Sequence, residues 1–149
     1  MKTFLSLENI YKSYRLNGKR IDVLQGVSFP AERGETLAIV GASGAGKSTL
    51  LHIIGGLDMP DSGRVLYGDE SVYDMRSSRR AYQRARHFGF IFQSYNLLPR
   101  LTALENVMLP TMYARENRLD PVQRHAKALV ALQSVGLGER MHHYPNQLS

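Results

Sequence analysis

Gly41-Ala42-Ser43-Gly44-Ala45-Gly46-Lys47-Ser48-Thr49-Leu50 follows directly on the apolar run Thr36-Leu37-Ala38-Ile39-Val40. The run predicts a strand over 35–40, and Lys47 to about Ile54 predicts a helix that Gly55-Gly56 ends. Gly41-x-x-x-x-Gly46-Lys47-Ser48 has the spacing of a phosphate-binding loop, placed between strand and helix as that loop requires. The glycines let the backbone curl so that successive N–H groups of Gly41, Ala42, Ser43, Gly44, Ala45 and Gly46 point inward, a nest for phosphate oxygens. The helix behind them adds about half a positive charge at its N-terminus. Lys47 is a mobile cation for the β- and γ-phosphates, Ser48 a hydroxyl for Mg²⁺, and Thr49 a hydroxyl for a phosphate. The four fixed positions coincide by chance in fewer than roughly one in a hundred chains of this size. The reading as a nucleoside triphosphate site therefore outweighs a flexible Gly-Ser turn.

The rest of the chain bounds that reading. Its 149 residues have the length of one ordinary domain, and 43% apolar with 21% charged is a globular composition. No apolar run approaches the roughly 18 to 20 residues that span a bilayer. The N-terminal stretch meets Glu8 too early for a secretory signal. Absence of cysteine removes disulfides and thiolate metal sites. Much of the formal charge of +6 comes from Arg76, Arg79, Arg80, Arg84 and Arg86. A solvated helix face is the favoured reading, ahead of contact with lipid head groups or a protein partner. Nucleic acid is not expected, since neither an aromatic-interleaved surface nor a DNA-reading helix is present.

Residues 3–14 and 21–31 predict strands joined at Asn17-Gly18, and Arg64–Tyr67 a short strand after the turn-rich Asp58–Gly63. A helix is expected over 77–86. Phe88-Gly89-Phe90-Ile91-Phe92 predicts a buried strand that delivers Gln93 into a loop. Leu101–Leu109 predicts a helix stopped before Pro110. A further helix opens with Asp120 as cap and Pro121 at its first position, with Val122, Ala126, Leu129 and Leu132 on one face and Gly136 closing it. The class is α/β with a helical appendage. Hydrolysis would need a second acid to hold Mg²⁺, usually an Asp ending an apolar strand. Val65-Leu66-Tyr67-Gly68-Asp69-Glu70 is the one candidate, but Gly-Asp favours a hairpin turn.

Phe88–Gln93, followed by Asn96-Leu97-Leu98-Pro99-x-Leu101-Thr102-Ala103-Leu104-Glu105-Asn106-Val107, resembles the glutamine loop of ABC-transporter ATPase subunits. Val23–Phe29 and Leu57-Asp58-x-Pro60-x-Ser62-Gly63 are similar to that family's stretches on either side of the phosphate loop. The wording is closest to the lipoprotein-releasing and macrolide-export group, with Leu50–Asp58 favouring lipoprotein release. The resemblance implies a P-loop NTPase fold: an antiparallel β subdomain and partial RecA-like core over 1–93, then the glutamine loop and the start of a helical subdomain over 94–149. It implies ATP and Mg²⁺ as ligands, and Lys47 and Gln93 as the catalytic residues. Gln93 matches the residue that touches Mg²⁺ and the attacking water; a surface glutamine at a strand end is the plainer alternative. Tyr14 matches the aromatic that stacks on adenine, with a half-buried strand tyrosine as its alternative and Tyr11 as the fallback.

Three partners and a location follow from the same resemblance. Ser94–Arg100 should dock a transmembrane permease subunit, which gives exposed Leu97 and Leu98 a purpose. A second ATPase subunit should join head to tail in the full-length form. The location implied is peripheral, on the cytoplasmic face of the inner membrane. Leu148-Ser149 matches the opening of the family's Leu-Ser-Gly-Gly-Gln signature. His52, His87, His125, His142 and His143 do not match its switch histidine; His142-His143 reads as a solvated loop pair rather than a metal site. The 149 residues alone are expected to bind ATP weakly with negligible turnover, and to be poorly soluble or associating. The alternative is a non-hydrolysing nucleotide-binding remnant. A small kinase or GTPase fits less well, for want of an Asn-Lys-x-Asp guanine reader or a lid of clustered arginines after the loop.

Overall fold

The computed structural model describes residues 3–113 and 119–148; Ser149, with its match to the signature, lies outside the described residues. The chain divides into two compact units, Met1–Gly89 and Phe90–Ser149.

The first unit is built on an antiparallel sheet. Strands β1 (Thr3–Leu16) and β2 (Lys19–Glu32) form a long hairpin, β3 (Ser62–Tyr67) pairs with the other edge of β1, and the two-residue β4 (Glu70–Ser71) closes the order β2-β1-β3-β4. The hairpin turn is Asn17-Gly18, both with positive φ (50° and 75°), as a type I′ turn requires. Leu7 and Ile10 are an odd number of residues apart, so an unbroken strand would send them to opposite faces. A register shift lies between them, with Asn9 at φ 49° and its N–H donating to the Ser28 hydroxyl at 2.7 Å. The extra residue returns Ile10 to the core side.

Helix α1 (Lys47–Ile54) lays Leu50 and Ile53 on that face. Together with Leu7, Ile10, Leu24, Val65 and Val72 they form one buried cluster. Each fully buried member, such as Ile10, Ile53 or Val65, contributes about 1.5–3 kcal/mol of transfer free energy. The end of α1 is held twice. Gly56 and Leu57 N–H groups return to the Ile53 and His52 carbonyls, while the Tyr67 and Tyr73 hydroxyls donate to the carbonyls of Ile54 and Ile53.

Helix α2 (Ser77–His87) carries the arginine run, and the favoured solvated-face reading is corrected for two of its members. Arg84 donates to the Gly56 carbonyl at 2.9 Å, and Arg80 stands 5.4 Å from the centroid of the Tyr73 ring. Both tie α2 to the end of α1. Arg79 pairs with Glu70 at 2.9 Å on the exposed side, where such a pair contributes little.

In the second unit, α3 (Ala103–Tyr113) and α4 (Pro121–Ser134) pack through Ala103, Leu104, Ala128 and Leu132, with Val107, Met108, Leu137, Met141 and Leu148 against them. The start of α3 follows from Thr102 and Glu105: the Thr102 N–H and hydroxyl donate to the Glu105 carboxylate at 2.7 and 2.9 Å. The Glu105 N–H returns to the Thr102 hydroxyl at 3.3 Å, which completes a capping box. The Ala103 and Leu104 N–H groups are satisfied by the His143 and Met141 carbonyls at 2.9 and 3.0 Å. His143 is accordingly half-buried and structural rather than solvated, whereas His142 is exposed. Asp120 caps α4 as expected, accepting from the Gln123 N–H at 2.9 Å, and Pro121 opens it.

Four expectations fail here, each for a physical reason. Residues 35–40 and 88–93 are in no strand, and Ile91 and Phe92 are exposed rather than buried. An apolar, β-branched run marks a tendency to be buried, whereas a strand exists only where a neighbour supplies the ladder, and none does among the described residues. Helix α3 runs through Pro110 instead of stopping before it. The proline sits on the exposed side and forfeits one helical bond, while the Thr111 hydroxyl donates to the Met108 carbonyl at 2.6 Å just behind it. On α4 the buried positions are Ala128 and Leu132; Val122 is 78% exposed and Ala126 also faces water. The small Ala128 side chain lets the two helices approach, and that contact sets the face.

Candidate functional site

The phosphate-loop spacing leads straight into α1. Gly46 is the residue before the helix, in the left-handed region at φ 85°, and has no side chain to cap it. A Cβ there would stand 2.9 Å from the Val23 carbonyl oxygen and 2.9 Å from Val23 Cγ1, so glycine is required by shape as well as by dihedral. The first intrahelical bond runs from the Leu50 N–H to the Gly46 carbonyl at 2.9 Å. The N–H groups of Lys47, Ser48 and Thr49 therefore precede any helical acceptor and are the donors that a helix start offers to an anion.

The Lys47 ammonium lies across the loop, donating to the Gly41 and Ala42 carbonyls at 2.9 and 2.6 Å. Residues 41–45 and Ser48 are exposed, so the loop is accessible from solvent. Neutral and cationic donors suit a polyanion, and the Ser48 hydroxyl suits a hard cation carried by it.

Tyr14 stands beside this loop. Its hydroxyl donates to Asp58 Oδ2 at 2.5 Å, and the Thr49 hydroxyl is near enough to bear on its titration. Burial, then the Asp58 carboxylate, push the Tyr14 phenol up, and Thr49 and Lys12 pull the other way. Burial works against the Asp58 charge, but donation from Tyr14 and Lys12 outweighs it and holds the carboxyl below its usual range. Tyr11 lies elsewhere, its hydroxyl over Gly26. Asp69 sits in the Gly68-Asp69 turn between β3 and β4, which corresponds to the hairpin reading of that stretch.

Gln93 belongs to the second unit and is exposed, as are Ser94–Arg100. Tyr95 is 83% exposed, with Leu97 and Leu98 exposed beside it. Sequence reasoning missed what holds this loop. The Asn106 carboxamide oxygen accepts from the Leu98 N–H at 2.8 Å. Its amide nitrogen donates to the carbonyls of Leu98, Leu101 and Thr102 at 3.0–3.2 Å. Also missed was the grip of Asp58 on Tyr14, a link across 44 residues for which no local spacing gives a signal.

These features are those of a phosphate-loop protein, and the comparisons say of which family. The ABC transporter family model matches residues 24–149. The chain is 50% identical over 145 residues to the lipoprotein-releasing system ATP-binding protein LolD of Myxococcus xanthus, covering 97% of this chain and 63% of that one. It is 43% identical over 145 residues to the macrolide export ATP-binding/permease protein MacB of Bdellovibrio bacteriovorus, covering 97% of this chain and 22% of that one. Among solved structures, the dimeric ATP-binding cassette MJ0796 bound to ADP and Pi superposes with a TM-score of 0.88 at 38% identity, over 97% of this chain and 63% of the cassette. The chain belongs to the ABC transporter family and has the partial fold of its ATP-binding cassettes. It spans less than two thirds of the length of the LolD relative and of the cassette.

Proposed function

We propose that this chain is the nucleotide-binding part of an ABC-transporter ATP-binding subunit, and that it binds ATP with Mg²⁺ at Gly41–Thr49. The observation that carries the reading is the junction at Gly46: a left-handed glycine opens α1 while Lys47 reaches across the loop. The loop N–H groups and Lys47 would hold the phosphates, the Ser48 hydroxyl would hold Mg²⁺, and Tyr14 would offer its ring to the adenine; for Gln93 the family resemblance implies a role toward Mg²⁺ and the attacking water. Mg²⁺ supplies neutralisation of phosphate charge. Gln93 suits its role because a neutral amide binds metal through oxygen and is withdrawn at small electrostatic cost. Lys47 stabilises charge on the terminal phosphates, and Gln93 orients water.

In the whole protein this site powers transport. The names of its relatives support lipoprotein release from the inner membrane, ahead of macrolide export. Ser94–Arg100 is the surface for a transmembrane permease subunit, and a second ATP-binding subunit joins head to tail, as the dimeric cassette suggests. The subunit sits peripherally on the cytoplasmic side; no helix among the described residues is long and apolar enough to cross a membrane. The 149 residues alone are expected to bind ATP with little turnover; among the described residues, Asp69, the acid that follows the run Val65–Tyr67, lies in a turn.

Isothermal titration calorimetry with Mg–ATP tests the site. Lys47→Ala removes a charge-assisted contact and should weaken binding about tenfold to a hundredfold. Equal affinity in the two proteins, or no heat from the unaltered chain, would overturn the assignment.

A further inference from the structure

Asp58 carries three donors on two oxygens. The Lys12 ammonium and the Met59 N–H share Oδ1 at 2.9 and 2.7 Å, and the Tyr14 hydroxyl takes Oδ2 at 2.5 Å. Lys12 also donates to the Met59 carbonyl at 2.6 Å and stands 5.0 Å from the centroid of the Tyr14 ring. The Lys12 side chain is only 11% exposed, whereas Tyr14 is 42% exposed. The cation therefore lies over one face of a ring that is otherwise open to solvent, and the Thr49 hydroxyl meets the phenol oxygen at its edge.

The neighbouring contact reinforces the same junction. The Ser13 N–H and hydroxyl both donate to Asp61 Oδ2, at 2.8 and 2.6 Å. Two consecutive residues of β1 are thus tied to one loop 44 to 48 positions downstream. A tyrosine on an exposed strand end has two torsions to lose when a ligand stacks on it. Here the hydroxyl is pinned at one end and the ring is backed by a cation, so the loss is taken on folding rather than on binding. A cation on one face also attracts the ring's negative quadrupole and fixes its tilt.

We propose that Asp58, with Lys12, is a positioning pair that presets Tyr14 as a platform for the nucleobase, so that base affinity, separately from phosphate affinity, depends on Asp58. This rests on the reading of Gly41–Thr49 as the triphosphate site. Asp58 follows α1 in sequence, but its N–H returns to the His52 carbonyl at 3.3 Å, so it packs back against the helix whose start holds Ser48 and Thr49.

The test compares Mg–ATP with Mg–tripolyphosphate, which has the phosphate tail and no base, by calorimetry on the full chain. The unaltered protein should prefer ATP. Asp58→Ala should weaken ATP about threefold to tenfold and leave tripolyphosphate unchanged. Tyr14→Phe keeps the ring and cuts the same bond from the other side, so it should shift ATP by a similar factor; it decides the matter if Asp58→Ala does not fold. A merely structural role for Asp58 would weaken both ligands together, and that result overturns the proposal. So does a Tyr14→Ala protein that loses the ATP preference while Asp58→Ala and Tyr14→Phe keep it. If the unaltered protein binds neither ligand, the triphosphate site itself fails and the platform with it.

Discussion

Alanine at Gly46 and at Gly44 separates two reasons for a glycine in the phosphate loop. Both residues are left-handed, Gly44 at φ 80° and Gly46 at φ 85°. An L side chain in that region costs about 1–2 kcal/mol, so both substitutions carry the dihedral penalty. They differ in space. A Cβ at Gly44 meets nothing within 4 Å. At Gly46 it stands 2.9 Å from the Val23 carbonyl oxygen and Cγ1 and 3.0 Å from Leu24 Cδ2. The carbonyl belongs to β2 and has no flexible end to move, so the start of α1 must shift away from the sheet. Overpacking of that kind costs a further 1–3 kcal/mol or so. Gly44→Ala should thus lose about 1–2 kcal/mol of stability and Gly46→Ala about 2–5 kcal/mol. Urea denaturation followed by far-ultraviolet circular dichroism measures both on the same footing. Equal losses, or a loss below about 1 kcal/mol at Gly46, would refute the claim that contact with β2 holds the loop against α1.

Two further outcomes follow from side chains that hold backbone ends. Burial pushes the Tyr73 phenol up from 10.0 to about 12 and raises Tyr67 as well. Raised acids favour the neutral form in the fold, so their contribution is whole below pH 10 and is lost as pH climbs from there through about 12. Stability should fall steeply over that window, and Tyr67→Phe with Tyr73→Phe should flatten the fall while costing about 1 kcal/mol each at pH 8; an unchanged slope in the double variant counts against the idea. Asn106→Ala removes four hydrogen bonds from the loop at Leu98–Thr102. It should cost about 2 kcal/mol and speed amide exchange at Leu98 most, and exchange that spreads evenly over α3 would mean global loosening instead.

What the sequence makes legible is what closes within a few residues. Asn17-Gly18 fixes its own turn, Asp120 caps its own helix, and the phosphate-loop spacing runs directly into the helix that it opens. Thr102-x-x-Glu105 is the same kind of signal, a capping box that places the start of α3 two residues later than its apolar pattern suggests. Features that need a distant partner behave differently. The apolar runs at 35–40 and 88–93 were legible as sticky segments, but pairing is a property of two segments, and composition reports only one. The arginine run looked solvated because nothing acidic lies within it, whereas Arg84 is satisfied by a carbonyl 28 residues away.

Tyr14 and Tyr11 show where the boundary runs. They are three apart on β1, and side chains on a strand alternate, so they face opposite ways. The register shift between Lys12 and Ser13 falls on β2, which steps from Leu24 to Asp22, and leaves that alternation in β1 intact. Lys12 and Tyr14, two apart, therefore share a face, and the cation–ring contact could be anticipated from position alone. Asp58 could not, since its link to Lys12 spans 46 residues and exists only because β3 pairs with β1 and brings the loop before it alongside. The choice of Tyr14 over Tyr11 as the proposed base platform thus has one half written in strand periodicity and the other half in tertiary pairing. The second half fixes the hydroxyl, which periodicity alone leaves free to turn.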